Sequence, residues 1–415
     1  MCSDMATRQR RGQQRQISTS DKVSEDSYSQ TEPVSDEMSE GSPKMFTPIP
    51  MEPITESAFE KRTKIRTRTI WTIILISSFF AIIAAGHFYC SLLVLCLIGG
   101  MFYEITKLKR DREKEHKLPF FFAMRWFWFL LANFVVLRVF LAPQLERLAQ
   151  NHSSVDFILR YHQILSYGLF LFGFVLFVLT LRRFTLRYQF QQLSWALVTI
   201  LICVIQGAAH IANIYSGLVW FLLPTLMVIV NDIFAYLFGI TLGRTPLIKL
   251  SPKKTLEGFI GGSIATVIFA VILCEVMERY SFFMCPMSDI TPVAFQSVSC
   301  EGYPSQISGF IGPSALKIHA LILASFASLV APFGGFFASG FKRAFKIKDF
   351  SNVFESHGGF TDRFDCQIVM GMFTYIYHAS FVKLAASVSV ESMLALARAL
   401  SPEDKARLIA GLGNI

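Results

Sequence analysis

The sequence is poor in charge. Only 17% of its 415 residues are Asp, Glu, Lys or Arg, against 53% hydrophobic residues and a mean hydropathy of +0.45. Soluble domains carry about 25% charged residues, so a soluble enzyme of this length is excluded. The eight cysteines contain no CxxC pair and no Cys/His spacing, and no zinc site is expected. Neither a helix-turn-helix pattern nor base-stacking aromatics accompany the net charge of +9, which excludes nucleic acid as a partner. Arg8, Arg10 and Arg11 are not followed by an apolar run of signal-peptide length, so no cleaved leader is expected.

What the chain has instead is long apolar runs, with 41 Phe in the sequence. They fall at about 70–87, 91–105, 119–141, 164–181, 195–214, 218–242, 259–276, 319–337 and 368–381. Runs of this length predict an all-α polytopic integral membrane protein with about nine transmembrane helices. Cations then alternate onto one side: Lys61, Arg62, Lys64, Arg66 and Arg68, the 107–117 loop, Arg182-Arg183, the 244–254 loop and the 339–367 stretch. The positive-inside rule makes that side the cytosol. The opposite side receives the 143–163 and 278–317 loops. The first holds Asn151-His152-Ser153, a glycosylation acceptor pattern, and the second holds Cys285 and Cys300, the candidate disulfide pair.

This pattern divides the chain into three sections. Residues 1–60, rich in Ser, Thr, Gln, Glu, Asp and Pro, predict a disordered cytosolic tail. Residues 61–385 predict a transmembrane domain, to which the polar stretches below give a catalytic character, and 386–415 a weakly amphipathic C-terminal tail.

Three polar features interrupt the apolar background, all on the cytosolic side. Asn231-Asp232 lies inside the 218–242 run. An ionisable group there is costly and faces a cavity or a partner, so Asp232 reads either as a functional residue or as a packing pair. In Ser251-Pro252-Lys253-Lys254-Thr255-Leu256-Glu257-Gly258, Ser251 can cap a helix with Pro252 in its first turn. Lys253, Lys254 and the Thr255 hydroxyl then stand at a helix N-terminus, where backbone amides favour anions. A lysine pair after a span is otherwise only a topology signal. The third feature runs from Ser339 to Gln367. Lys342, Arg343, Lys346 and Lys348 precede a His357-Gly358-Gly359 turn and then Asp362-Arg363-Phe364-Asp365. If Thr361 begins a helix, Asp362 and Asp365 share a face and can hold a divalent cation; with Arg363 they can instead form a local ion-pair network. His357 either contacts phosphate or satisfies its own turn.

Ser339-x-x-Lys342-Arg343-x4-Lys348-Asp349, followed by His357-Gly358-Gly359-x-x-Asp362-Arg363-Phe364-Asp365, resembles the hallmark of phosphatidate cytidylyltransferases, the CDP-diacylglycerol synthases. Asn231-Asp232 with Ala235-Tyr236, and the Ser251–Gly258 block, resemble two more of that family's motifs. Gly334-Gly335-Phe336-Phe337-Ala338-Ser339 is similar to its eukaryotic branch. The resemblance spans roughly residues 60–385. Two positions depart from it: Glu355-Ser356 stand where the family usually has Pro-Gly, and Leu256 where it commonly has Trp.

The resemblance implies transfer of CMP from CTP to phosphatidic acid, with Mg²⁺ as cofactor, in the endoplasmic reticulum membrane with the active site facing the cytosol. It also implies a homodimer, which nothing in the spacing demands. Under this reading Asp362, Asp365, Lys342, Arg343 and His357 carry the chemistry. Ser251, Lys253, Lys254, Thr255, Ser339, Lys348 and Arg363 bind the two phosphate-bearing substrates. Asp362 ranks first as metal ligand, Asp365 second and Asp232 third. The alternatives are a catalytically weak or silent relative, motivated by Glu355-Ser356, and a membrane anion transporter, against which no inverted repeat is visible.

The topology is directly testable. A cysteine placed at position 253 should react with a membrane-impermeant reagent from the cytosolic side, and one at 305 only after the lumen is opened. Labelling of both from one side would contradict the span order.

Overall fold

The computed structural model describes residues 58–109, 118, 120–248, 251, 254–296, 298, 315–351, 353, 358–383, 394, 397–398 and 400–412. Most of the expected N-terminal tail, residues 1–57, lies outside them, as does much of the C-terminal tail. The described residues form fourteen α-helices. They are α1 (Ala58–Ala85), α2 (His87–Lys107), α3 (Phe121–Phe140), α4 (Ala142–Asn151), α5 (Ser153–Arg160), α6 (His162–Leu179) and α7 (Leu186–Tyr215). Then come α8 (Val219–Thr241), α9 (Leu256–Glu278), α10 (Ser281–Met284), α11 (Ala315–Leu329), α12 (Pro332–Ala344), α13 (Thr361–Tyr377) and α14 (Pro402–Leu412). A π-helical turn, His378–Lys383, prolongs α13. The protein is an all-α polytopic membrane protein.

Among the described residues, seven segments are long and apolar enough to cross a bilayer: α2, α3, α6, α7, α8, α9 and the joined α11–α12, Leu316–Ala344. The first expected span lies largely in α1, whose apolar part is Thr69–Ala85, and the last lies within α13 and the π-helical turn that prolongs it. The expected 143–163 loop is corrected, because it folds into α4 and α5. Each has apolar residues on one face only, with Arg160 and Asp156 paired one turn apart at 3.0 Å in α5.

Burial distinguishes inner from outer helices. Trp220, Leu223 and Met227 of α8, Ile211 and Ile214 of α7, Leu323 of α11 and Met370 of α13 are fully enclosed. α6 buries only His162, Gly173 and Phe177 and exposes most of its Leu and Phe, as a lipid-facing helix does. α13 lies against α7, α8 and α12. Polar side chains fix its register: Gln367 donates to the Thr225 carbonyl at 3.0 Å, and Asn213 to the Gly371 carbonyl at 2.9 Å. Such bonds between helices anchor packing where lipid offers no hydrophobic drive.

Two close approaches position the polar end of the bundle. A Cβ on Gly258 would stand 2.5 Å from the Ala235 carbonyl oxygen, so only glycine lets the start of α9 lie on α8. A Cβ on Gly334 would stand 2.4 Å from the Asp365 carbonyl oxygen, which fixes α12 against α13 in the same way. On the far side, Cys285 is disulfide-bonded, while Cys300 falls outside the described residues.

Gly334→Val should force α12 away from α13. Overpacking of this kind costs about 1–3 kcal/mol. Thermal unfolding in detergent should show the loss, and an unchanged midpoint would refute the close contact.

Candidate active site

The three polar features of the sequence meet at one end of the helix bundle, where α8 ends and α9 and α13 begin. The loop before α9 folds back on itself. Leu247 N–H donates to the Lys254 carbonyl at 2.8 Å and Leu256 N–H to the Thr245 carbonyl at 2.9 Å, with a β-bridge between Pro246 and Thr255. α9 begins at Leu256, not at Ser251-Pro252 as the sequence predicts. Thr255 is extended and its hydroxyl oxygen accepts from Gly258 N–H at 3.2 Å, which makes it the N-cap. Glu257 then fastens the loop by accepting from Arg244 N–H at 3.0 Å, from Thr245 N–H at 3.2 Å and from the Thr245 hydroxyl. Capping uses the Thr255 hydroxyl as acceptor and leaves its O–H free to donate. Ser251 is a turn residue whose carbonyl accepts from Lys254 N–H at 3.0 Å, and Lys253 lies outside the described residues.

Lys254 links this loop to α12. Its ammonium sits 5.5 Å from the centre of the Phe336 ring, a cation–π contact between two distant motifs. Asp232, in the middle of α8, keeps accessible surface and lies within electrostatic reach of Lys254 and Arg363. Asp365, one turn into α13, lies within reach of Asp232 and Lys342. Its Oδ1 accepts from Cys366 N–H at 2.7 Å, and its carboxyl edge borders Gly335. Two carboxylates from separate helices thus lie within electrostatic reach of each other, with Lys254, Lys342 and Arg363 as neighbouring cations.

Asp362 has a different setting. Its Oδ1 accepts from Lys342 Nζ at 2.7 Å, with the two side chains only 7% and 20% exposed. Its Oδ2 accepts from Phe350 N–H at 2.9 Å and Gly359 N–H at 3.1 Å. Both oxygens are therefore engaged in closing the segment that joins α12 to α13. Phe341 stacks on Phe345, Phe350 and Trp195 beneath it, with ring centres 4.7 to 5.6 Å apart. Gly358 supplies the turn with a positive φ of 82°. His357 lies outside the described residues. Ser339 is half-buried one turn before Lys342 on α12, while Arg343, Lys348 and Arg363 are exposed.

One residue of this region is not among those singled out in the sequence. Glu104, near the end of α2, is 1% exposed. Its carboxylate accepts from Phe360 N–H, Thr361 N–H and the Thr361 hydroxyl, each at 2.9 Å, and from the Ser351 hydroxyl. The available signal was a lone acid inside an apolar run, the same signal that marked Asp232.

Among the described residues no three His, Cys, Asp or Glu side chains form a metal cage. The Asp232 and Asp365 pair still fits magnesium. That ion commonly binds through one or two carboxylates, completing its shell with water and substrate phosphates.

A polytopic helical protein with a carboxylate pair and a cationic rim at one membrane edge is the class that fold and site define. The sequence matches the cytidylyltransferase family model over residues 66–381, and the chain belongs to that family. It is 43% identical over 333 residues to human phosphatidate cytidylyltransferase 1, covering 76% of this chain and 72% of that one. Human phosphatidate cytidylyltransferase 2 is 41% identical over 331 residues, with coverage of 76% and 74%. Arabidopsis thaliana phosphatidate cytidylyltransferase 1 is 38% identical over 386 residues, with coverage of 88% and 90%.

Asp362→Asn should loosen the Phe350 and Gly359 amides, since breaking a buried ion pair on one side costs on the order of 3 kcal/mol. Hydrogen exchange at Phe350 and Gly359 should accelerate in this variant. Wild-type protection at both amides would show that the carboxylate does not hold them.

Proposed function

We propose that this protein transfers CMP from CTP to phosphatidic acid, releasing pyrophosphate and leaving CDP-diacylglycerol in the membrane. The observation that carries the reading is the meeting of Asp232 and Asp365 with Lys254 and Lys342, in a chain of the cytidylyltransferase family. A phosphate oxygen of the lipid forms the new bond to the α-phosphorus of CTP. The bond from that phosphorus to the bridging oxygen of the β-phosphate breaks, and pyrophosphate departs. No protein nucleophile is needed, in keeping with Cys366, beside Asp365, being buried. What the protein supplies is alignment and compensation of charge.

Lys254, Arg343, Lys348 and Arg363 offset the anionic headgroup and triphosphate, and Lys253 and His357 belong to the same two stretches. Lys342 is anchored by Asp362 and presents a fixed positive charge at the site's edge. Asp232 and Asp365 hold Mg²⁺, with Asp362 shaping the site instead of ranking first among the ligands. When bound, the ion neutralises phosphate charge and orders the triphosphate. An apolar groove of about 700 Å³ between α8 and α9, bordered by Phe234, Phe238, Ile264 and Ile268 with Glu257 at its rim, supports a place for acyl chains beside the headgroup. The family resemblance supports a site facing the cytosol of the endoplasmic reticulum membrane, and it implies a homodimer. Family membership and charge gathered at one end, instead of along a pathway, weigh against the anion transporter.

Purified protein with labelled CTP and phosphatidic acid in mixed micelles should yield labelled lipid in a magnesium-dependent manner. Asp365→Asn should lower turnover by about 100-fold or more, as loss of a transition-state charge contact does. No labelled lipid from the wild type would leave the silent-relative reading standing.

The departure at Glu355-Ser356 gives a second test. Glu355 and Ser356 lie outside the described residues; proline restricts a loop and glycine widens its accessible angles, whereas Glu355 adds a negative charge to the segment. Glu355→Pro with Ser356→Gly should lower the KM for CTP, with little change for phosphatidic acid. The gap between the two forms should narrow as salt rises. An unchanged CTP dependence would place the segment away from the nucleotide.

A further inference from the structure

The first turn of α13 carries Asp362 and Asp365, yet it has no cap of its own. Phe360 occupies the N-cap position and offers no side-chain acceptor. A helix start leaves backbone donors without partners, and burying them unpaired is costly. Here they are met from 256 residues away in the chain. The carboxylate of Glu104 accepts from Phe360 N–H and Thr361 N–H at 2.9 Å, and from the hydroxyls of Thr361 and Ser351. Four donors converge on two oxygens of one enclosed group.

The surrounding shape is built for this contact. A Cβ on Gly359 would stand 2.5 Å from Glu104 Oε1 and 2.7 Å from Oε2, so a larger residue there would displace the carboxylate. Gly100, one turn before Glu104 on the same face of α2, leaves room for the Phe360 ring; a Cβ there would stand 2.7 Å from it. Ring and carboxylate together hold the junction between the glycine turn and α13 on the end of α2. The end of α2 is itself tied down, because Trp195 Nε1 donates to the Ile105 carbonyl at 2.9 Å.

We propose that Glu104 is a positioning residue for the transfer reaction: from α2 it sets where α13 begins, and hence where Asp365 stands opposite Asp232. This role rests on the CMP transfer proposed for the site. Glutamine is the informative substitute, because it keeps the shape and removes one of the two acceptors. Its amide group would also turn N–H donors toward N–H donors. A loss of about 1 Å in placement can cost about 100-fold in rate.

Glu104→Gln in the full-length protein should lower kcat by about 10- to 100-fold while leaving the KM for phosphatidic acid within about twofold. Amide exchange at residues 358–361 should accelerate while that of α7 and α8 stays at wild-type rates. Glu104→Asp, which retains both oxygens on a shorter stem, should recover part of the lost kcat. Thr361→Val removes one donor and should cost less than Glu104→Gln. The double variant should be no slower than Glu104→Gln alone, since both act through one contact.

A purely structural cap would instead lower the thermal midpoint and leave kcat per folded molecule unchanged, which overturns the proposal. Additive losses in the double variant would overturn it as well. Should Glu104→Gln fail to fold, Glu104→Asp and Thr361→Val carry the same comparison of kcat with KM. If the wild type transfers no CMP, the reaction assignment fails separately. Exchange at 358–361 in the variant then decides whether Glu104 sets the helix start.

Discussion

Carboxylates that satisfy buried backbone donors at the start of α13 are the constraint on which the rest of the site depends. Asp362 accepts from Phe350 and Gly359, and Glu104 from Phe360 and Thr361. Between them they close the segment leading from α12 and orient the first turn of α13. At the edge of a bilayer water cannot be relied on to pair those amides, so acceptors must come from the protein. A carboxylate suits this role because each oxygen accepts more than one bond and its charge matches the positive end of the helix.

The other side of the site is set by close backbone approach. Gly258 lets α9 lie on α8, and Gly334 lets α12 lie on α13. These contacts bring Lys254 over Phe336 and place Asp232 within reach of Asp365. The chain thus builds one polar cluster from stretches far apart in sequence. The surrounding helices remain apolar, exposing Leu, Ile and Phe toward lipid. Polar bonds inside the bundle, such as Gln367 to Thr225, keep α13 from sliding and so preserve the alignment at its start.

Much of this was legible in the sequence. Apolar runs gave the helical class, and an acid inside an apolar run drew attention to Asp232. Less legible were features that depend on contacts between distant elements. Spacing on one helix paired Asp362 with Asp365 but says nothing of the contacts that Asp362 receives from Lys342 and two amides of a preceding segment. Ser251-Pro252 has the composition of a helix start, yet the loop bonds back through Thr245 and Glu257 and delays α9 to Leu256. Glu104 lacked any motif, since its partners are backbone amides of a segment 256 residues later.

If Asp232 and Asp365, carried by different helices, hold one ion, their contributions to turnover belong to a single unit. The decisive measurement is a double-mutant cycle on turnover with labelled CTP, using Asp232→Asn, Asp365→Asn and the pair. Residues that serve one function give strongly non-additive losses. The double variant should therefore be about as slow as the slower single variant. Losses that multiply independently would contradict a shared site.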